Sequence, residues 1–190
     1  MFQLRFNTSS DWLDCVLNDF DAFLIDHAAA EKKASGMAVS MLSHYPDRPE
    51  LVTAMIDLSI EEMMHFREVV KIMTERGLQL AADTKDAYIN NLRKLQRKGS
   101  DKYMLDRLIL GGVIEARGCE RFGLVAKGLP EGELKTFYQA ITDSEARHES
   151  LFIDLAKLYF DEKTVEERLG EVLDAEAEVC SALPIIAALH

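Results

Sequence analysis

The chain has 190 residues, 48% of them hydrophobic, with 4 prolines and 10 glycines, which suits one domain with one core and long regular elements. A formal charge of -11 argues against general affinity for nucleic acid or anionic membrane, and no apolar run reaches the ~20 residues of a membrane span. The 3 cysteines, Cys15, Cys119 and Cys180, form no CxxC pair, which argues against a disulfide framework or thiolate zinc site.

The pattern reads helical throughout, so the expected class is all-α. Ser9, Ser10 and Asp11 offer N-caps to a first periodic segment ending near Ser43. His44-Tyr45-Pro46-Asp47 breaks it. Pro49 suits a first helical turn, and a second helix is expected to reach Gly77. A shorter helix is expected over Thr84 to Lys98. A third long helix starts near Ser100 or Asp101 and stops at Gly128-Leu129-Pro130. A fourth runs from about Glu131 to Phe160. Thr164 and Glu167 have capping-box spacing and open a last helix ending before Pro184. The expected architecture is a four-helix bundle with additional short and C-terminal helices, in a single domain over 1–190.

Each long helix carries an apolar seam in steps of three and four. The seams are Leu13, Leu17, Phe20, Leu24, His27, Glu31, Ala34, Ala38, Met41; Leu51, Met55, Leu58, Glu62, His65, Val69, Ile72; Met104, Leu108, Gly111, Glu115, Gly118, Phe122, Val125, Leu129; and Leu134, Tyr138, Ile141, Glu145, His148, Phe152, Leu155, Tyr159. Near its middle every seam turns polar. A buried carboxylate must be paired or coordinate a metal. Glu62-Met63-Met64-His65 and Glu145-Ala146-Arg147-His148 are both Glu-x-x-His, and residues three apart share a helix face. Two helices giving Glu-x-x-His and two giving a glutamate is the ligand set of ferritin-like di-metal carboxylate proteins.

The spacing repeats. Glu31 to Glu62 is 31 residues and Glu115 to Glu145 is 30; Glu31 to Glu115 is 84 and His65 to His148 is 83. The chain therefore reads as two similar helix pairs. The candidate metal ligands are Glu31, Glu62, His65, Glu115, Glu145 and His148. Mixed carboxylate and imidazole donors suit iron or manganese.

Around this set, His27 lies one turn before Glu31 and is a candidate to hydrogen-bond a ligand glutamate. Glu61 is a candidate to orient a histidine. Gly111 and Gly118 flank Glu115 by one turn on each side. They read as room for oxygen or a substrate group, with close helix packing as the alternative. Met55, Met63, Met64 and Met73 read as core filling.

From Lys85 to Arg107, seven basic residues face three acids, a net +4 that leaves -15 for the rest of the -11 chain. Arg93, Lys94, Arg97, Lys98 and Lys102 are the candidate phosphate contacts.

Four segments carry a family resemblance: Glu31-Lys-Lys-Ala34, Glu61-Glu-Met-Met-His-Phe66, Ile114-Glu-Ala-Arg-Gly-Cys-Glu-Arg-Phe122 and Ser144-Glu-Ala-Arg-His148. With them the chain resembles the tRNA-(2-methylthio-isopentenyladenosine) hydroxylases over nearly its whole length. The resemblance implies a non-haem di-iron monooxygenase that adds a hydroxyl to the isopentenyl group of a hypermodified adenosine beside the tRNA anticodon. It implies two iron ions, O2 as co-substrate, an electron-donor protein or reductase, the tRNA anticodon arm as partner and a cytoplasmic location. The six ligands match the family position by position. Ala29 and Ala30, Gly118 and Glu149 depart from its pattern, and none is a ligand. The alternatives are a ferritin-like ferroxidase or iron-storage protein, and a di-iron hydroxylase of another substrate such as a quinone.

Overall fold

A computed structural model describes residues 2–190. Among them are seven α-helices and no strand: α1 Ser10–Asn18, α2 Phe20–His44, α3 Pro49–Glu75, α4 Ala87–Arg93, α5 Ser100–Gly128, α6 Glu133–Tyr159 and α7 Glu162–Ala182. The all-α expectation is met. The segment expected to be one helix up to Ser43 is two, because Asp19 leaves the helical conformation and its side chain caps α2 by accepting from Ala22 N–H. At the start of α7 the cap is Asp161, whose carboxylate accepts from the Thr164 N–H and hydroxyl. Thr164 is therefore the capped residue, not the cap.

The chain forms two compact units. One comprises Asp14–Thr84 with Ile186–Leu189; the other comprises the N-terminal segment to Leu13, Lys85–Ile185 and His190.

In the first unit α2 packs on α3. The pair is antiparallel: Ser35 Oγ donates to the Ser59 carbonyl at 2.9 Å, while Asp21 at the start of α2 accepts from Arg76 just beyond the end of α3 at 2.6 Å. Ser35 and Ser59 are small enough to let the backbones approach one turn from Glu31 and Glu62. Gly77 ends α3 with φ +74°, and Leu78 N–H donates back to the Met73 carbonyl at 2.9 Å. This left-handed closure is one that glycine adopts without a Cβ penalty. Met55 and Met73 are buried as expected, but Met63 and Met64 are 44% and 50% exposed. They lie between Glu62 and His65 in sequence. A helix that turns those two residues inward turns the two between them out.

In the second unit α5 packs antiparallel on α6: Gly111 meets Phe152, Gly118 meets Glu145 and Gly123 meets Thr142. Helix α7 packs against α4, α5 and α6. From Met104 to Val113 every residue of α5 is buried. That includes Asp106 and Arg107, so this helix is covered on all sides and its charges need partners inside the protein.

One such group is a buried ion network. Arg117 and Glu176 are both 0% exposed and join α5 to α7 through two parallel hydrogen bonds, Nε to Oε1 at 2.8 Å and Nη2 to Oε2 at 3.0 Å. Tyr88 of α4 also donates to Glu176, at 3.0 Å. Arg117 further donates to the Phe6 carbonyl at 2.8 Å and the Thr8 hydroxyl at 3.2 Å, and pairs with Glu120. Glu120 in turn accepts from the Thr8 N–H at 2.8 Å and its hydroxyl at 2.7 Å. Beside them the Arg121 guanidinium stacks over Trp12, 4.9 Å from the ring centre. The N-terminal segment is thus fixed to α5 by the arginines of the Ile114–Phe122 motif.

Candidate metal centre

In the first unit Glu31 on α2 meets Glu62 and His65 on α3. Each offers one donor atom, and the three atoms lie within 4.8 Å of one another. His65 Nδ1 stands 3.5 Å from Glu31 Oε2 and 3.4 Å from Glu62 Oε2. His27, one turn before Glu31, places Nε2 2.6 Å from Glu31 Oε1. Glu31 and Glu62 are 3% and 1% exposed, and His27 is fully buried.

Two carboxylates buried this close repel each other unless a positive charge lies between them. Burial alone would raise the Glu31 pKa, but hydrogen bonds from His27 and His65 outweigh it and hold the carboxyl well below its usual range. Burial would lower the His65 pKa, but Glu31 and Glu62 together push it up to about 10. With no metal bound, such an imidazole would hold a proton at neutral pH. A divalent ion would take the place of that proton between the carboxylates, because only the neutral imidazole can ligate. Glu61 is half-buried and lies outside this cluster.

In the second unit Glu115 on α5 meets Glu145 and His148 on α6, again with one donor atom each and all within 4.8 Å of one another. Their exposures are 5%, 4% and 2%. A Cβ on Gly118 would lie 3.5 Å from Glu145 Oε2, so this glycine gives the carboxylate its space at ordinary contact distance. Each unit thus carries the same trio, a glutamate from one helix and Glu-x-x-His from the next. Buried oxygen and imidazole donors without sulfur suit iron or manganese.

The family model for tRNA-(MS[2]IO[6]A)-hydroxylase (MiaE) matches residues 2–190. This chain belongs to the MiaE family. It is similar to a tRNA 2-(methylsulfanyl)-N(6)-isopentenyladenosine(37) hydroxylase of Pseudomonas putida, with 36% identity over 172 residues, 90% of this chain and 83% of that protein. A protein of the same name from Salmonella typhimurium is 33% identical over 156 residues, 79% of this chain and 57% of its own length. Among solved structures, "Protein 43 with aldehyde deformylating oxygenase activity from Synechococcus" matches with a TM-score of 0.94 and 33% identity, covering 100% of this chain and 96% of that one. The fold class is all-α and ferritin-like. No helix among the described residues is long and apolar enough to cross a membrane.

In this MiaE-family chain the space beside Gly111 is filled. A Cβ there would stand 2.7 to 2.9 Å from three carbons of the Phe152 ring. Gly111 serves close packing of α5 on α6 rather than an open cavity, because Phe152, four residues after His148, takes the volume that the glycine leaves. Gly112 is similarly tight, with a Cβ 3.2 Å from Ile153 Cδ1.

Of the candidate phosphate contacts, Arg93 on α4, Lys94 and Lys98 in the following loop and Lys102 in the first turn of α5 are exposed. Arg97 differs, because its guanidinium is held by the buried Asp106, with Nη2 2.7 Å from Oδ1. Sequence reading missed this carboxylate. Its signal was a charged residue inside the apolar stretch Met104–Val113.

His27→Gln is expected to lower metal affinity by about 10- to 100-fold, the usual cost of removing a group that orients a ligand. Competition titration with a chelator checks this. Unchanged affinity would leave His27 as packing only.

Proposed function

We propose that this chain is an O2-dependent di-iron monooxygenase that hydroxylates the isopentenyl group of 2-methylthio-isopentenyladenosine next to the tRNA anticodon. On this reading Glu31, Glu62, His65, Glu115, Glu145 and His148 hold two iron ions, and residues 1–190 act as a single domain. The observation that carries the reading is the repeated glutamate plus Glu-x-x-His trio, with its glutamates buried in each unit of a MiaE-family chain. The names of the Pseudomonas and Salmonella relatives support the substrate.

Iron bound by these residues would supply the activation of O2, chemistry that no side chain here can perform alone. The protein's own part is narrower. The carboxylates neutralise the metal charge. His27 fixes Glu31. The burial of all four ligand glutamates and of His148 keeps bulk water from the reacting centre. Two electrons must come from outside, from a donor protein or reductase. The exposed cations Arg93, Lys94, Lys98 and Lys102, with Arg97, would receive the phosphates of the anticodon arm. A tRNA substrate and the absence of a disulfide framework fit a cytoplasmic location.

The test is mass spectrometry of nucleosides from isopentenyl-containing tRNA after incubation with iron-loaded protein, reductant and O2. The expected product is the hypermodified adenosine heavier by one oxygen atom, absent with Glu115→Ala. A sample that holds two irons and consumes O2 without that product would overturn the substrate assignment. The Synechococcus likeness then gives the second reading, an oxygenase acting on an aldehyde, tested by formate release from an aldehyde. Deposition of a ferric mineral core instead would favour iron storage.

A further inference from the structure

The loop of residues 94–99 between α4 and α5 carries the densest run of cations in an acidic protein, and one buried carboxylate sets its shape. Asp106, on the second turn of α5, is 0% exposed. Its Oδ2 accepts from the Arg97 backbone N–H at 2.7 Å, and its two oxygens accept from Arg97 Nε at 3.0 and 3.2 Å and Nη2 at 2.7 Å. Arg168 of α7 closes the arrangement from the other side: its Nε donates to Asp106 Oδ1 at 2.8 Å, and its Nη2 donates to the Leu95 carbonyl at 2.7 Å. Glu171 accepts from Arg168 Nη1 at 2.7 Å, which fixes that side chain in turn.

The loop is therefore fastened at two backbone groups, the Leu95 carbonyl and the Arg97 N–H, by side chains from two long helices. Burial alone would raise the Asp106 pKa, but the bonds from Arg97 and Arg168 outweigh it and keep the group ionised. Arg97 and Arg168 together balance Asp106 and Glu171, so the cluster is neutral and the positive charge of the loop comes from its lysines. The Arg97 side chain stays 38% exposed. Lys94 and Lys98 lie on the same fastened stretch, and Lys102 follows one turn into α5.

We propose that Asp106 is a positioning residue for tRNA: with Arg168 it holds loop 94–99 so that Lys94, Arg97, Lys98 and Lys102 meet the phosphate backbone already arranged. This rests on the tRNA reading above. Phosphate contacts fix the register of a nucleic acid on a protein. A loop ordered before the encounter binds without the cost of ordering it at that moment. A carboxylate under a phosphate-binding surface is otherwise a poor choice, since it repels the ligand. Its complete burial and double neutralisation make it a strut instead.

The experiment measures binding of isopentenyl-containing tRNA to the iron-loaded full chain at several salt concentrations, with steady-state hydroxylation kinetics beside it. Lys98→Glu combined with Lys102→Glu should reduce affinity at least about tenfold and flatten the log–log salt slope by about 2, one for each lost phosphate contact. Asp106→Asn leaves every surface cation in place. It should reduce affinity about threefold to tenfold, the ordering cost of one or two long side chains. KM for tRNA should rise while kcat at saturating tRNA holds, and trypsin should cut faster at Lys94 and Lys98. If the lysine reversal weakens binding and Asp106→Asn does not, the positioning role is overturned and the tRNA surface stands. If neither changes binding, the surface itself is overturned. Should Asp106→Asn fail to fold, Arg168→Gln releases the Leu95 carbonyl and one oxygen of Asp106, and the same outcomes decide.

Discussion

Replacing Arg117 by methionine is expected to destabilise the protein by about 3–5 kcal/mol, because it leaves the Glu176 carboxylate buried without its cation. For a chain of this length that is a fall in Tm of about 6–20 °C, at about 2–4 °C per kcal/mol. The geometry explains the size. Arg117 and Glu176 are each 0% exposed and share two near-parallel hydrogen bonds of 2.8 and 3.0 Å. Taking either charge out of water alone costs more than the protein can recover. The pair survives because Tyr88 satisfies the acid and Phe6, Thr8 and Glu120 satisfy the remaining guanidinium protons. Burial works against the Arg117 charge, but Glu176 overcomes it and raises the pKa above its ordinary value. A buried pair adds little net stability compared with apolar residues of the same volume, so most of the loss is the stranded charge. Arg117→Met combined with Glu176→Gln should therefore recover about half of it or more, since glutamine keeps an acceptor for Tyr88. Thermal denaturation of the two variants decides. An equal loss in both would mean that the methionine itself, not the stranded acid, is at fault.

That network marks the boundary of what the sequence discloses. The helices were legible because their seams keep a period of three and four residues over many turns. The donor trios were legible because glutamate and histidine are conspicuous on an apolar stripe and because the stripe repeats. The break at Asp19 was hidden, since Leu17, Phe20 and Leu24 continue the same steps across it. Its effect is a turned face in α1, where Trp12 and Val16 are buried while Leu13 and Leu17 are only half-buried. Met63 and Met64 looked like core by residue type alone, yet their place between two inward ligands turns them out. Gly111 looked like a vacancy because a sequence shows the missing side chain but not the Phe152 ring that fills it. The α7 partners of Arg117 and Asp106, Glu176 and Arg168, lie 59 and 62 residues away in the chain. No local spacing rule reaches that far.

Glu62→Gln is the second large effect, and it should separate function from stability. Iron binding should fall, and hydroxylation should drop by at least about 10³-fold, the several kcal/mol that a catalytic metal supplies. The metal-free variant should nevertheless be as stable as the parent or slightly more so. His65 Nδ1 lies 3.5 Å from Glu31 and 3.4 Å from Glu62, so without a metal one imidazolium would serve two buried carboxylates. Glutamine keeps the shape, removes one buried charge and leaves His65 paired with Glu31. The pH sign follows from His65, whose folded pKa of about 10 exceeds its unfolded value. Such a group stabilises the folded state fully below the unfolded pKa, and that contribution fades as pH rises toward the folded one. Losing Glu62 removes one of the two carboxylates that raise the His65 pKa, so the variant should lose this stabilisation at lower pH than the parent does. Metal analysis, single-turnover hydroxylation and thermal melts of the apo proteins across pH 6 to about 10 test this together. A variant that loses stability and activity in parallel would make Glu62 a packing residue. One that loses activity and iron while holding its Tm shows that these carboxylates are kept for the metal and not for the fold.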